Sequence, residues 1–264
     1  MLPRSIVAAA VVCSAASWAH ADVTLFAAGS LRGALSEVSA AFTQKTGIAV
    51  KGEYGPSGLL REKIEKGVSV DVFASADMDH PRKIAASGTG LPAVRFVGNR
   101  LCAMARPEVG LTTANFLDKA LSPSIKLGTS TPVADPSGDY TWKVFDKAEQ
   151  VHPGATAALK SKALQLVGGP ASEPIPAGRS AVPHMFATGK ADMFIAYCTT
   201  GKAAAKEGVK LDVVALPPTL AQSADYGLTV IGKDATAAQL ALFILSEPGQ
   251  NILARWGFET TAGH

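Results

Sequence analysis

The chain has 264 residues, of which 47% are hydrophobic and 18% are charged, and its formal net charge is +3 at pH 7. The high apolar fraction and the balanced charges exclude intrinsic disorder, while scattered lysines and arginines and an aromatic content of only 6% argue against nucleic-acid binding. A chain of this length can bury a core either as one large domain or as two compact lobes.

Residues 1–21 have the features of a secretory signal peptide. Arg4 supplies a short basic start, Ile6–Trp18 is small and apolar, and Ala19-His20-Ala21 forms an Ala-x-Ala cleavage site. The apolar stretch is shorter than the roughly 20 residues that a membrane-spanning helix needs. We therefore expect an exported, periplasmic protein whose mature chain begins at Asp22.

Predicted strands and helices alternate along that mature chain. Short apolar runs predict strands over Asp22–Ala28, Ile48–Tyr54, Val70–Ala74, Arg100–Arg106, Ile125–Thr129, Met193–Tyr197 and Val209–Pro217. Apolar spacings of three and four predict helices from Leu31 to Gly47, from Leu59 to Gly67, after Asp77, and over Tyr140–Gln150, Ala181–Thr188 and Ala237–Arg255. This order implies α/β units built on parallel strands with right-handed crossovers.

The same order suggests two lobes with a cleft between them. Chain crossings are expected near residues 98–102 and 213–219. Lobe 1 would then comprise residues 22–99 and 217–264, and lobe 2 would comprise residues 100–216. No internal repeat or low-complexity linker interrupts this pattern.

Two cysteines remain after the predicted signal peptide. Cys102 and Cys198 lie in apolar runs typical of strands. Because an oxidising compartment permits pairing between adjacent strands, we predict a disulfide, with two buried free thiols as the alternative. A catalytic thiol or a metal site is not favoured, since the sequence has no CxxC and its histidines are not spaced as ligands.

Familiar enzyme signatures are missing from the sequence. It contains no GxSxG, GxxxxGK[ST] or HExxH, and no GxGxxG after a strand. His80, His152 and His184 are widely separated and are expected on the surface. Asp135 and Asp139 are better explained by a turn and a helix cap than as an acid/base pair. No catalytic residue and no cofactor are therefore predicted.

Four short loops combine serine and glycine at a predicted strand end or helix start. They contain Ser30, Ser57, Ser137 and the pair Arg179-Ser180. Glycine permits close approach, and a helix N-terminus presents unpaired N–H groups with partial positive charge, which together favour anion binding. Each serine alone is explained as a helix cap, but four such loops without a catalytic group favour a binding cleft.

Several of these segments resemble the periplasmic molybdate-binding proteins of ABC transporters. They are Val23–Ser30 (VTLFAAGS), Tyr54–Leu60 (YGPSGLL), Asp71–Asp77 (DVFASAD), Ile195-Ala196-Tyr197 and Phe243–Phe258 (FILSEPGQNILARWGF). The resemblance covers essentially the whole mature chain. It implies a two-lobed α/β periplasmic-binding-protein (Venus flytrap) fold, in which each lobe is a mostly parallel sheet flanked by helices.

The resemblance also implies an oxyanion site built from neutral hydrogen-bond donors. Ser30 and Ser57 match the two ligand serines of the family, and Tyr197 matches its ligand tyrosine. Ser137 falls where the family supplies a backbone N–H, and Arg179 falls where it usually has an apolar residue that donates its N–H. The metal of such an oxyanion would be held through its oxygens alone, with no direct cation ligand.

Asp139 and Arg179 depart from the family pattern. A carboxylate repels an unprotonated dianion, whereas a protonated anion such as hydrogen phosphate could donate a hydrogen bond to Asp139. The alternative is that Asp139 and Arg179 pair across the cleft rim or point away from it.

The sequence thus predicts a solute-binding protein, not an enzyme, that captures molybdate or tungstate. Its partners would be the small oxyanion and the inner-membrane permease of an ABC importer, and it would act as a monomer without nucleic acid. One alternative keeps the fold but binds phosphate, a phosphonate or a small organic acid through Arg179. A secreted serine hydrolase is least favoured, because no histidine is placed beside a serine in a recognisable context.

Overall fold

The computed structural model describes residues 22–170 and 172–260, so the predicted signal peptide lies outside the described residues. The strands are β1 (Val23–Ala28), β2 (Val50–Gly55), β3 (Val72–Ser75), β4 (Val94–Ala105), β5 (Leu127–Ser130), β6 (Leu164–Val167), β7 (Met193–Tyr197), β8 (Asp212–Ala215), β9 (Ser223–Val230) and β10 (Glu259–Thr260). The α-helices are α1 (Arg32–Thr46), α2 (Ser57–Glu65), α3 (Asp79–Ala86), α4 (Phe116–Leu121), α5 (Pro136–Ala148), α6 (Ala155–Lys162), α7 (Ala181–Ala187), α8 (Thr200–Lys206), α9 (Ala235–Leu245) and α10 (Glu247–Arg255). Within these ranges no helix is both long and apolar enough to cross a membrane.

The long strand β4 joins two groups of strands into one sheet of order β2-β1-β3-β9-β4-β7-β5-β6, with β8 and β10 also paired to β4. Up to Arg100, β4 pairs with β9 and β10. The first strand group is defined as this half of β4 together with β1, β2, β3, β9 and β10. From Leu101 onwards, β4 pairs with β7 and β8. The second strand group is defined as this half of β4 together with β5, β6, β7 and β8. The predicted lobe boundaries stay a prediction.

The α/β class with flanking helices is confirmed, but the sheet is mixed rather than mostly parallel. Among the described residues, four strand pairings are parallel and five are antiparallel. The parallel pairings join β1 to β2 and β3, and β5 to β6 and β7. Between these strands a helical crossover brings the chain back to the end of the sheet at which the previous strand began. The antiparallel ones all involve β4 or β9, the strands that lead between the two groups.

The core forms where helix faces cover the sheet. Leu35, Val38 and Phe42 of α1 are buried, as their spacing predicted, and α1 ends at Gly47 with a left-handed φ of 76°. Burying side chains of this size contributes about 1.5–3 kcal/mol each, so this apolar stripe fixes the helix on β1.

Three predicted elements differ most from the structure. Strand β4 begins at Val94 rather than Arg100, because its first half pairs with β9, a strand that was not predicted although its polar and apolar residues alternate. Helix α5 begins at Pro136 rather than Tyr140, since proline suits the first turn of a helix. The single helix predicted over Ala237–Arg255 is two helices that meet at Ser246, because a proline in the first turn of α10 cannot continue α9.

The predicted disulfide between Cys102 and Cys198 is confirmed. Cys102 lies in β4 opposite Ala196 of the antiparallel strand β7, and Cys198 follows directly after β7. The two Cα atoms are 4.8 Å apart, within the range that a disulfide bridges. The bond therefore ties the end of β7 to the strand that joins the two groups.

Candidate functional site

A cleft of about 430 Å³ lies between the two strand groups. Its walls come from the carboxyl ends of β1, β2 and β3 on one side and of β5, β6 and β7 on the other, together with the loop before α7. This is the edge of an open α/β sheet at which ligands bind. Ser30, Ser137, Arg179 and Tyr197 all line the cleft, whereas Ser57 lies just outside its lining.

Ser30 lies in the short 3-10 turn Gly29–Leu31 that links β1 to α1. Its hydroxyl is 3.0 Å from the hydroxyl of Tyr226 in β9. The side-chain amide of Asn99 donates to the same Tyr226 oxygen at 3.3 Å. A hydroxyl held in this way is oriented before a ligand arrives, because rotation would break its hydrogen bond.

Ser57 is the first residue of α2 and is 1% exposed. Its Oγ accepts the backbone N–H of Ala76 at 3.2 Å, and Ala76 itself lines the cleft. The hydroxyl proton of Ser57 is not used by that bond. Ser57 thus supports the wall from behind, and its role as a direct ligand stays a prediction.

Ser137 is the second residue of α5 and presents a free hydroxyl rather than a free N–H. Its backbone N–H donates to Oδ1 of Asp135 at 3.0 Å, so the predicted backbone donor is already engaged by the helix cap. Its Oγ is buried and has no hydrogen-bond partner within the described part of the chain. A buried hydroxyl without a partner destabilises the folded protein, so the Ser137 hydroxyl is a candidate ligand contact, and its role as a ligand stays a prediction.

Gly138 explains how the start of α5 reaches this position. A Cβ at residue 138 would lie 2.6–2.7 Å from backbone atoms of residues 130–132, closer than any side chain tolerates. Only glycine lets the first turn of α5 pack directly against the chain leaving β5.

Tyr197 ends β7 and is 2% exposed. Its hydroxyl donates to the carbonyl oxygen of Ala76 at 3.4 Å, which joins the two cleft walls. Burial, reinforced by the neighbouring Tyr226 hydroxyl, raises the pKa of Tyr197 well above its usual value. The phenol therefore stays protonated and can act only as a neutral hydrogen-bond partner near neutral pH.

The structure corrects the expectations for Arg179 and Asp139. Nε of Arg179 lies 3.2 Å from Oε2 of Glu207, and the Arg179 N–H donates to the carbonyl of Pro176 at 3.1 Å. Oδ1 of Asp139 accepts the N–H of Val133 at 3.0 Å, and Asp139 does not line the cleft. The suggested Arg179–Asp139 pair is wrong: Arg179 is neutralised by Glu207, and Asp139 closes its own loop.

Of the two aspartates in this segment, Asp135 is the one that lines the cleft, as does Glu173 in the loop before α7. A helix cap was predicted in this segment, but with the helix expected from Tyr140 the cap would have been Asp139; Asp135 caps α5 instead, and its place in the cleft was missed. Burial raises the pKa of Asp135 to about 6, although hydrogen bonds from the Ser137 N–H and the Ser130 hydroxyl oppose the shift. The sequence signal was its position two residues before Ser137, in the loop that follows a predicted strand.

His80 is buried, so its predicted surface position was wrong. Its Nε2 lies 3.7 Å from a carboxylate oxygen of Asp77, and burial lowers its pKa. Within the described ranges, no group of three or more His, Cys, Asp or Glu residues is arranged to hold a metal ion.

We expect Ser137→Ala to stabilise the ligand-free protein while weakening anion binding. Removing a buried hydroxyl without a partner avoids a desolvation penalty of about 1 kcal/mol, which corresponds to a rise in Tm of roughly 2–4 °C. Loss of one hydrogen bond to a charged ligand weakens binding by about 1.5–3 kcal/mol, or roughly 10- to 100-fold. Thermal melting without ligand and calorimetric titration with molybdate test both effects. A Tm of ligand-free Ser137→Ala below that of the ligand-free wild type would contradict the conclusion that the Ser137 hydroxyl has no hydrogen-bond partner.

Known proteins match this chain in sequence and in overall fold. A family model described as bacterial extracellular solute-binding protein matches residues 23–259. The uncharacterized protein PM1146 of Pasteurella multocida is 37% identical over 236 residues, which cover 89% of this chain and 97% of that protein.

Two solved structures share the architecture. The periplasmic molybdate-binding protein of Azotobacter vinelandii has a TM-score of 0.72 at 19% identity, covering 90% of this chain and 98% of its own. The sulfate-binding protein SubI of Mycobacterium tuberculosis has a TM-score of 0.73 at 19% identity, covering 92% and 88%. These likenesses show the α/β periplasmic-binding-protein fold, with a curled mixed sheet flanked by helices.

Proposed function

Because the chain belongs to the family of bacterial extracellular solute-binding proteins, we propose that it captures molybdate or tungstate and delivers the anion to the permease of an ABC importer. The observation that carries this proposal is the Ser137 hydroxyl, which is buried without a partner in the cleft that Ser30 and Tyr197 also line. Three neutral hydroxyls from both walls suit the oxygens of a tetrahedral anion. The metal atom would be enclosed by its own oxygens and would touch no protein atom.

Neutral donors can hold a dianion when helix ends counter its charge. Ser57 opens α2 and Ser137 lies in the first turn of α5, so two helix N-termini with partial positive charge face this region. A free cation is not needed in such a site, and the guanidinium of Arg179 is paired with Glu207. For this reason an anion held mainly through Arg179 is not favoured over the oxyanion.

The contacts between the strand groups suggest how the anion would be enclosed. The N–H of Gly58 in α2 donates to the carbonyl of Ala134, before α5, at 2.9 Å. The hydroxyl of Tyr197 reaches Ala76 across the same cleft. An anion bound between Ser30 on one wall and Ser137 on the other would thus be held by both strand groups at once, as in hinge closure around a ligand.

Solved structures with this fold include a molybdate-binding protein and a sulfate-binding protein. Molybdate, tungstate and sulfate are all unprotonated tetrahedral dianions near neutral pH. Selection between them would therefore depend on the space between the hydroxyls, because charge and shape are the same. A hydrolase using Ser30 or Ser137 is not favoured, since no histidine of the described residues lines the cleft.

The proposal is tested by calorimetric titration of the anion-free mature protein with molybdate, tungstate, sulfate and phosphate. We expect molybdate and tungstate to bind tightly and Ser30→Ala to weaken both by roughly 10- to 100-fold, because one hydrogen bond to a charged ligand is lost. Ser124→Ala removes an exposed hydroxyl away from the cleft lining and is the matched control, with unchanged affinity. Absence of molybdate and tungstate binding, or full affinity in Ser30→Ala, would refute the proposal.

A further inference from the structure

Asp135 places a carboxylate among the hydroxyls of the cleft. Its side chain is half-buried and lines the same cavity as Ser130, Ser137 and Tyr197. Oδ1 of Asp135 accepts the N–H of Ser137 at 3.0 Å, which holds the carboxylate beside the orphaned Ser137 hydroxyl. Every oxygen of molybdate is an acceptor, and so is an ionised carboxylate. Without a proton between them, Asp135 and the bound anion repel each other.

No cation of the described residues offsets this repulsion. None of their ion pairs includes Asp135. Of the two arginines that line the cleft, Arg179 is paired with Glu207, and Arg32 donates to the Tyr54 carbonyl at 3.1 Å and stacks on the Tyr54 ring.

The other titratable groups near Asp135 are mainly acidic or neutral. They are Asp139 on α5, Asp77 in the loop before α3, Tyr197 on β7 and Tyr226 on β9, while Glu173 in the loop before α7 lines the same cleft. Tyr140 and His80 in turn interact with Asp77 and Asp139. Asp139 and Asp77 add negative charge, and His80 is driven towards its neutral form by burial. The surroundings of Asp135 therefore favour a proton on its carboxylate once an anion binds beside it.

We propose that Asp135 links anion binding to a proton, so that one proton is shared between its carboxylate and an oxygen of the bound tetrahedral anion. The inference rests on the proposed function, because it requires an oxyanion in this cleft. With molybdate or tungstate, the proton is taken up from solvent onto Asp135. With hydrogen phosphate, the ligand brings its own proton and donates it to the ionised carboxylate.

The direction of the pH dependence follows from the two protonation states. In the free protein the pKa of Asp135 is about 6, and a bound dianion at hydrogen-bond distance raises it further. Below pH 6 the carboxyl is already protonated, and binding needs no proton uptake. Above pH 6 each bound molybdate takes up a proton, so its affinity falls by up to tenfold per pH unit until the pKa of the complex is reached.

The test compares the wild type, Asp135→Asn and Asp139→Asn by calorimetric titration with molybdate from pH 6 to pH 9, in buffers of different ionisation enthalpy. For the wild type we expect Kd to rise with pH and uptake of nearly one proton per anion at pH 8. An asparagine side chain keeps the helix cap and carries an amide donor, so Asp135→Asn should bind at least tenfold more tightly at pH 8, with no proton uptake. Asp139→Asn lies outside the cleft lining and should keep the wild-type slope.

The outcomes separate this inference from the proposed function. If wild-type molybdate binding is independent of pH, or if Asp135→Asn keeps the wild-type slope, the proton link is overturned while the molybdate function stands. If neither molybdate nor tungstate binds any of the three proteins, the proposed function fails. Titration with phosphate then decides the inference: Asp135→Asn must weaken phosphate binding at least tenfold at pH 8. Unchanged phosphate affinity, or no binding of any anion, overturns it.

Discussion

Replacing Cys102 and Cys198 together by alanine is expected to lower the free energy of unfolding by roughly 4–5 kcal/mol. The two residues are 96 positions apart, so their bond removes a large loop-closure entropy from the unfolded chain. The measurement is guanidinium unfolding of the oxidised wild type and of the double variant. Because Cys198 follows Tyr197 directly, we also expect weaker anion binding in the double variant.

Reduction of the wild type provides the control for that prediction. A reductant should shift the unfolding midpoint of the wild type to that of the double variant and should leave the variant unchanged. If the reduced and oxidised wild-type proteins unfold at the same denaturant concentration, the disulfide does not stabilise the fold.

Gly58→Ala is expected to weaken anion binding by about 100-fold or more. A Cβ at residue 58 would lie 2.4 Å from the carbonyl oxygen of Val133 and 2.8 Å from that of Ala134, on the opposite cleft wall. Backbone atoms cannot rotate away, so the two strand groups would have to separate. Ser137 and Tyr197 would then lose their hydrogen bonds to the anion, each worth about 1.5–3 kcal/mol, and together at least about 3 kcal/mol.

Gly55→Ala is the matched control for this closure effect. It adds the same methyl group three residues away, also on the cleft wall, but where the nearest heavy atom is 3.9 Å distant, so that the two walls need not separate. We expect Gly55→Ala to keep most of the affinity, measured by molybdate titration, and small-angle scattering to show expansion of Gly58→Ala alone. Equal losses of affinity in both variants would contradict the closure argument.

Much of the cleft could be predicted from local sequence. Ser30 and Ser137 follow buried strands and precede helices, and the carboxyl ends of such strands meet at one edge of the sheet. The structure accordingly brings both residues to the same cleft as Tyr197. Their roles as ligands stay predictions. Ser57 follows the same pattern yet lies just outside the cleft lining, because its side-chain oxygen accepts the Ala76 N–H instead of facing the cavity.

Other features could not be predicted because they depend on distant partners. Tyr226 orients Ser30 from 196 positions away, on strand β9. The alternation of polar and apolar residues in β9 could have predicted a strand, but not that its tyrosine reaches Ser30. Glu207, directly after α8, pairs with Arg179 in the loop before α7 and offsets the positive charge on which one alternative function rested. No local pattern specifies which acidic side chain reaches a given arginine.

The amino-acid sequence by itself determined the alternation of strands and helices and the Ser-Gly loops, because apolar spacing and turn chemistry act over a few residues. It did not predict strands β6, β9 and β10 or helices α4, α6 and α8. The pairing of Cys102 with Cys198 could be predicted because they are the two cysteines that follow the predicted signal peptide. Only the tertiary structure decided which of Asp135 and Asp139 enters the cleft. The two lie one helical turn apart on the same face of α5, so helical periodicity alone does not distinguish them. Asp135, which caps the helix, lines the cavity, whereas Asp139, one turn further along, accepts the Val133 N–H. The charge that α5 brings to the cleft is therefore set by how far along its axis the helix meets the cavity.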